Sequence, residues 1–209
     1  VPAIAADLKP SASQLLWIID IYGFMVAGFL MVMGALGDAY GRRRMLLIGA
    51  AVFGIMSVAA AFAQSTEQLI IARAALGIAG ATLAPSTLSL ITNMFRDENE
   101  RTFAISMWIA SFSAGAIVGP LVGGLLLNWF WWGAAFLVAA PVMALLLILG
   151  PWLLPEFRSD DPPKLDYPST LLSLLAVLSF IYGVKSMAEF GFGWTSTGAA
   201  AAGLGFAVA

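Results

Sequence analysis

Long apolar runs make up most of this sequence and constrain its fold more than any other feature. A helix needs about 20 mostly apolar residues to cross the hydrocarbon core of a bilayer. Six runs come close to that length, and a seventh begins near residue 198; the six lie near residues 14–37, 45–63, 68–94, 102–127, 133–154 and 168–187. The sequence therefore predicts an all-α polytopic membrane protein.

The composition excludes most other classes of protein. Hydrophobic residues make up 61% of the 209 residues and charged residues only 11%, whereas soluble domains carry about 25% charged residues. There is no His and no Cys, so the chain has no imidazole base, thiolate ligand or disulfide. The net charge of -2 is scattered, and a nucleic-acid partner requires a clustered basic face. We expect no enzyme, metal site, cofactor or nucleic-acid partner, and a lipid bilayer as the surroundings.

Basic residues cluster at positions 42–44, between the first two apolar runs. Short cytoplasmic loops collect Lys and Arg, so we place this loop on the inside. Alternating crossings then bring residues 96–101 and 158–164 to the same side, which collects seven of the ten basic residues. The tryptophans of residues 129–132 fall on the outer side, as expected for an interfacial aromatic belt. The charge pattern thus predicts one consistent topology.

Two apolar runs carry an ionisable residue at membrane depth, Asp20 and Arg73. Each lies about six residues from the predicted outer boundary, which at 1.5 Å per residue is about 8 Å. We interpret Asp20 as a proton-coupling site whose protonation a bound cation can switch; the alternative is an interfacial residue that caps or hydrates. We assign Arg73 to the same site or to gating. Its alternative is a structural ion pair with an acidic residue other than Asp20.

A glycine stripe marks the run at 102–127. Gly115, Gly119 and Gly123 recur every four residues, and Pro120 removes one backbone donor. This pattern predicts a bendable helix that packs tightly on another helix. In the same run, Trp108 is a candidate for the substrate cavity because its ring face can stack on a cation; ordinary packing is the alternative that we favour.

Three motifs follow one another along the chain. A loop motif consists of Gly34, Leu36, Asp38, Gly41, Arg42 and Arg43. A helix motif consists of Leu69, Arg73, Gly77 and Gly80. A third motif consists of Gly115, Gly119, Pro120, Gly123 and Gly124. Together they resemble the major facilitator superfamily and, within it, the fourteen-helix drug:proton antiporters, whose antiporter motif the third one matches.

The resemblance implies the N-terminal part of a major-facilitator helical bundle: helices two to six and the two linking helices, with most of the first helix missing. Residues 1–154 are then the N-terminal transmembrane half, residues 155–167 a cytoplasmic linker, and residues 168–209 the first linking helix and the start of the second. The C-terminal half of the transporter is expected beyond this chain. Ala39, Leu76 and Ala139 depart from residues common in relatives, and this leaves the substrate open.

The function implied by the resemblance is proton-coupled efflux of hydrophobic, cationic drugs by alternating access, in the bacterial cytoplasmic membrane. The proton gradient drives it without a cofactor. Asp38 and its arginines are implied to latch the cytoplasmic side closed, whereas the alternative is a purely topogenic arginine cluster. A proton-coupled metabolite or sugar symporter is the other candidate function, which the antiporter motif disfavours. The lack of His and Cys argues against a third class, a membrane-anchored enzyme or redox subunit.

Overall fold

The computed structural model describes residues 2–158, 167–191 and 193–208. Over these ranges every regular element is an α-helix, as the sequence predicts. The helices are α1 Pro2–Leu8, α2 Ala12–Tyr40, α3 Arg42–Ala61, α4 Thr66–Met94, α5 Glu98–Trp129, α6 Ala134–Leu137, α7 Ala139–Leu153, α8 Tyr167–Phe190 and α9 Trp194–Val208.

Five apolar stretches in the described ranges are long enough to cross a membrane: α2, α3, α4, α5 and the combined α6 and α7. They confirm the first five predicted spans and a multi-pass membrane protein. The sixth predicted span lies in α8, which contains a shorter apolar run, Leu171–Met187. Most of the predicted linker, residues 159–166, lies outside the described residues. The division at residues 154 and 167 stays a prediction.

The helices α2, α3 and α4 form the core of the bundle. The buried cluster shared by these helices and the loops after α3 and α5 consists of Ile18, Ala60, Ala63, Leu69, Ala72, Leu76 and Trp132. In a bilayer, close packing rather than water exclusion holds helices together, so small residues at the contact matter. A Cβ atom added to Gly77 of α4 would lie 2.5 Å from the carbonyl oxygen of Tyr22 on α2. Glycine at this position therefore lets the two backbones touch.

The chain reverses between α2 and α3 at a single residue, Gly41. The interpretation of residues 34–43 as a loop is wrong for most of them, because α2 continues as a helix to Tyr40. Gly41 has a φ of 108°, a backbone conformation that glycine adopts readily and other residues resist. Because one such residue suffices to break the helix, α3 begins at once with Arg42.

The helix α5 lies largely apart from the bundle. No residue of α5 is buried, and a Cβ atom added to any of its four motif glycines meets nothing within 4 Å. No described helix lies against the glycine face, so the predicted tight packing of the stripe stays a prediction. Pro120 does lie inside the helix, as predicted.

The helices α8 and α9 form a close hairpin. A Cβ atom added to Gly183 would lie 2.3 Å from the backbone nitrogen of Ala200, and one added to Gly203 would lie 2.6 Å from the nitrogen of Phe180. Glycine on both helices thus allows backbone contact. The hairpin joins the rest of the molecule through the face that α8 presents to α2.

Candidate functional site

The carboxylate of Asp20 has a cationic partner on α8. Its Oδ2 atom lies 2.6 Å from Nζ of Lys185, and the same Nζ lies 5.0 Å from the ring centroid of Trp17. The side chain of Asp20 is 43% exposed, so one side of the carboxylate remains open. The sequence reasoning missed Lys185, although a single charge inside an apolar helix is the same signal that singled out Asp20.

Arg73 contacts the turn of α2 that carries Asp20, but through the backbone. Its Nη2 donates to the carbonyl oxygen of Ile19 at 3.1 Å, so the guanidinium lies beside the Asp20 turn. The guanidinium carbon lies 5.9 Å from the ring centroid of Tyr22 and 5.8 Å from that of Phe136. Among the described residues no carboxylate reaches Arg73 within 4.0 Å. Two different cations thus flank the Asp20 turn.

Polar contacts join the outer ends of the helices around this site. Gln14 of α2 donates through Nε2 to Glu67 of α4 at 2.7 Å, and Trp132 donates through Nε1 to Asp7 of α1 at 2.7 Å. Trp132 is buried, whereas Trp129 is 82% exposed. The three tryptophans of the predicted aromatic belt therefore differ: Trp132 supports the bundle, whereas Trp129 and Trp131 are exposed.

The loop motif places Asp38 and Arg42 together at the opposite end of α2. Arg42, the first residue of α3, forms an ion pair with Asp38 near the end of α2. Both side chains line a cavity of about 220 Å³ whose other walls are Ser89, Asn93, Phe157 and Arg158. The motif positions Gly34 and Leu36 lie inside α2. The predicted gate residues are thus gathered where α2, α3, α4 and the segment after α7 meet.

Glu156 completes the cluster at this end of α2, and sequence reasoning did not select it. Its two carboxylate oxygens accept hydrogen bonds from the backbone nitrogens of Arg43 at 2.9 Å and Arg44 at 3.2 Å. The first backbone N–H groups of a helix lack helical partners and carry partial positive charge, so a carboxylate there is favourable. Arg43 in turn donates through Nη1 to the carbonyl oxygen of Leu154 at 3.0 Å, near the end of α7. The amino end of α3 and the carboxyl end of α7 therefore provide hydrogen-bond partners for each other's backbone groups.

Trp108 belongs to α5, and its side chain reaches α4. Its Nε1 donates to the hydroxyl of Thr87 at 3.1 Å, and its ring meets Phe112 edge to face at a centroid distance of 4.7 Å. These contacts are those of a packing residue, the alternative that the sequence favours. No group of three or more potential metal ligands occurs among the described residues.

A family model described as Major Facilitator Superfamily matches residues 1–209. The chain belongs to the Major Facilitator Superfamily. Its relatives in the superfamily include the Multidrug efflux pump LfrA of Mycolicibacterium smegmatis, 49% identical over 98% of this chain and 40% of that protein. The Methyl viologen resistance protein SmvA of Salmonella typhimurium is 38% identical over 88% of this chain and 37% of its own length. The Multidrug resistance protein Stp of Mycobacterium tuberculosis is 33% identical over 94% of this chain and 36% of its own length.

These relatives confirm the family predicted from the three motifs. Their printed names are those of efflux and resistance proteins, as the resemblance implies. The chain spans about 40% of the length of the major facilitator proteins that it matches.

Proposed function

We propose that this chain is part of a secondary transporter that exports hydrophobic, cationic compounds in exchange for protons. The observation that carries the proposal is the 49% identity, over nearly the whole chain, with a protein named as a multidrug efflux pump. The setting in this proposal is a bacterial cytoplasmic membrane, because the relatives are bacterial proteins. A proton gradient supplies the energy, and no cofactor takes part.

Asp20 is the proton site in this proposal. An external proton binds the carboxylate, removes its negative charge and thereby releases a bound cation to the outside. Rearrangement of the two helical halves then exposes Asp20 to the cytoplasm, where the proton leaves and a new cation binds. The 43% exposure of the side chain supports this role, because the carboxylate can be reached.

Electrostatics favours coupling to protons over a passive route. Moving one positive charge outward against an inside-negative potential costs roughly 2.3 kcal/mol per 100 mV. When one proton enters for each monovalent cation that leaves, no net charge moves and that cost cancels. A difference of one pH unit then supports a roughly tenfold concentration gradient of the cation.

The cytoplasmic cluster is the gate in this proposal. The Asp38–Arg42 ion pair and the Glu156 carboxylate hold the inner ends of α2, α3 and α7 together. Breaking them frees these ends to separate when the inner side opens. Charged groups at a helix terminus suit such a switch, because each contact contributes only about 1 kcal/mol.

The test uses the full-length transporter in proteoliposomes with an acidic lumen. Ethidium is added outside, and ethidium uptake and lumenal pH are recorded together. Antiport predicts ethidium accumulation with loss of lumenal protons, and no accumulation once a protonophore has collapsed the gradient. A proton symporter moves both species in the same direction and contradicts the proposal. Asp20→Asn is expected to stop both fluxes, whereas Glu98→Gln on the exposed first turn of α5 leaves both unchanged.

A further inference from the structure

The helix α8 is packed closely on α2. Near the outer end the rings of Trp17 and Tyr182 stack with centroids 6.2 Å apart and an interplanar angle of 20°. Further in, a Cβ atom added to Gly28 would lie 2.6 Å from Cδ2 of Leu178. Contacts on successive turns therefore fix α8 against α2, so this helix does more than connect distant parts of the chain.

The ammonium group of Lys185 takes part in this contact. Its Nζ lies 2.6 Å from the Asp20 carboxylate and 5.0 Å from the centroid of the Trp17 ring. The Nζ atom itself is buried. A carboxylate beside the face of an indole ring is the chemistry by which proteins bind organic cations. Lys185 thus occupies the place between Asp20 and Trp17 in which an organic cation could bind.

A second cation, Arg73, is held differently. It hydrogen-bonds the carbonyl oxygen of Ile19 and lies over the rings of Tyr22 and Phe136. These contacts do not depend on the charge of Asp20. Besides Asp20, Lys185 has the Trp17 ring but no backbone acceptor among the described residues, so it is the cation that leaves when the carboxylate is neutralised or taken by another ligand.

We propose that Asp20, Trp17 and Tyr182 form a binding site for an organic cation, in which Lys185 acts as a tethered competitor. This proposal rests on the proposed function and specifies where the cation binds. An organic cation takes the place of the ammonium between the carboxylate and the ring, and Lys185 moves to the aqueous boundary, which its long side chain can reach. Protonation of Asp20 breaks the same ion pair with Lys185. The α8–α9 hairpin therefore responds to the occupancy of the site.

The first test measures binding of tetraphenylphosphonium to the purified full-length transporter. Lys185→Met removes the competing charge and keeps much of the side-chain length, so we expect about fivefold tighter binding. Lys185→Arg keeps the charge and is expected to bind within about twofold of the wild type. Asp20→Asn is expected to abolish binding. Unchanged or weaker binding by Lys185→Met overturns the proposal.

A second test does not depend on comparing separately folded variants. The chain contains no cysteine, so Lys185→Cys, with any cysteines outside this chain replaced, offers one thiol for modification. Before modification it should bind tetraphenylphosphonium as tightly as Lys185→Met. Aminoethyl methanethiosulfonate restores a positive charge on a side chain of similar length and should return the Kd to the wild-type value. The neutral methyl methanethiosulfonate should not, and equal effects of the two reagents overturn the proposal.

The two proposals fail in different ways. A wild-type protein that exports ethidium but shows no effect of Lys185 or Asp20 on tetraphenylphosphonium binding overturns this cation site and leaves the proposed function intact. A wild-type protein that neither exports ethidium nor binds tetraphenylphosphonium overturns both.

Discussion

Arg43 and Glu156 lie 113 residues apart in sequence and join two helix ends. The carboxylate accepts a hydrogen bond from the Arg43 backbone at 2.9 Å, and it lies 3.6 Å from Nε of the same residue. The Glu156 side chain thus caps α3 and also pairs with the Arg43 guanidinium.

Glu156→Gln is expected to lower stability by about 1 kcal/mol, because an amide offers one acceptor and no negative charge to the amino end of α3. Thermal unfolding of the purified transporter in detergent measures the change. Glu98→Gln serves as the matched control, since Glu98 also lies in the first turn of a helix but is exposed and forms no ion pair within the described residues, so its loss should lower stability by less. Equal melting temperatures for Glu156→Gln and the wild type contradict the capping role.

Asp38→Asn is expected to bias the transporter toward inward opening. The substitution leaves the Arg42 guanidinium, whose side chain is only 12% exposed, without its ionic partner. Labelling of Ser89→Cys with a maleimide from the cytoplasmic side reports opening, because Ser89 lines the cavity beside Asp38. We expect labelling to become several times faster. If Asp38→Asn changes neither labelling nor transport, the arginine cluster is purely topogenic.

Two glycines with opposite surroundings give a matched pair of substitutions. Gly77→Ala places a methyl group 2.5 Å from the Tyr22 carbonyl and is expected to destabilise by about 1–3 kcal/mol, since the helices must separate. Gly119→Ala meets nothing within 4 Å in the described chain. It is expected to be neutral or to stabilise by up to about 1 kcal/mol, because alanine favours a helix. Melting temperatures that change in the same direction contradict the helix contacts described here.

Charge reversal distinguishes the two cations near Asp20. The single substitutions Asp20→Lys and Lys185→Asp each bring like charges together and are expected to destabilise by about 1 kcal/mol. The double substitution restores an ion pair and should recover stability, measured as melting temperature and as the monodisperse fraction on size exclusion. Asp20→Arg with Arg73→Asp should give no recovery, because Arg73 binds a backbone oxygen. Recovery in that second pair alone shows that Arg73 is the partner.

Local patterns predicted those parts of the structure that depend on neighbouring residues. Apolar length located the helices, and the arginines at 42–44 grouped the helix ends correctly. Lys185 and Glu156 were missed as partners because their contacts join segments far apart in sequence, and no periodicity records which helix face meets which. The glycine stripe of α5 shows the same limit: its spacing indicates that a helix can approach closely, but it does not say which helix does so.

The single-residue break at Gly41 makes α2 act as a lever. Asp38 follows Asp20 by 18 residues on one continuous helix, which corresponds to about 27 Å. A tilt of about 10° around the Asp20 turn displaces Asp38 by about 5 Å, one full helical pitch. Because α3 begins directly after Gly41, no flexible loop separates α2 from the arginines, and the motion of α2 is transmitted to them. A small tilt of α2 at its outer end therefore produces a displacement at its inner end that is large enough to break charge contacts there.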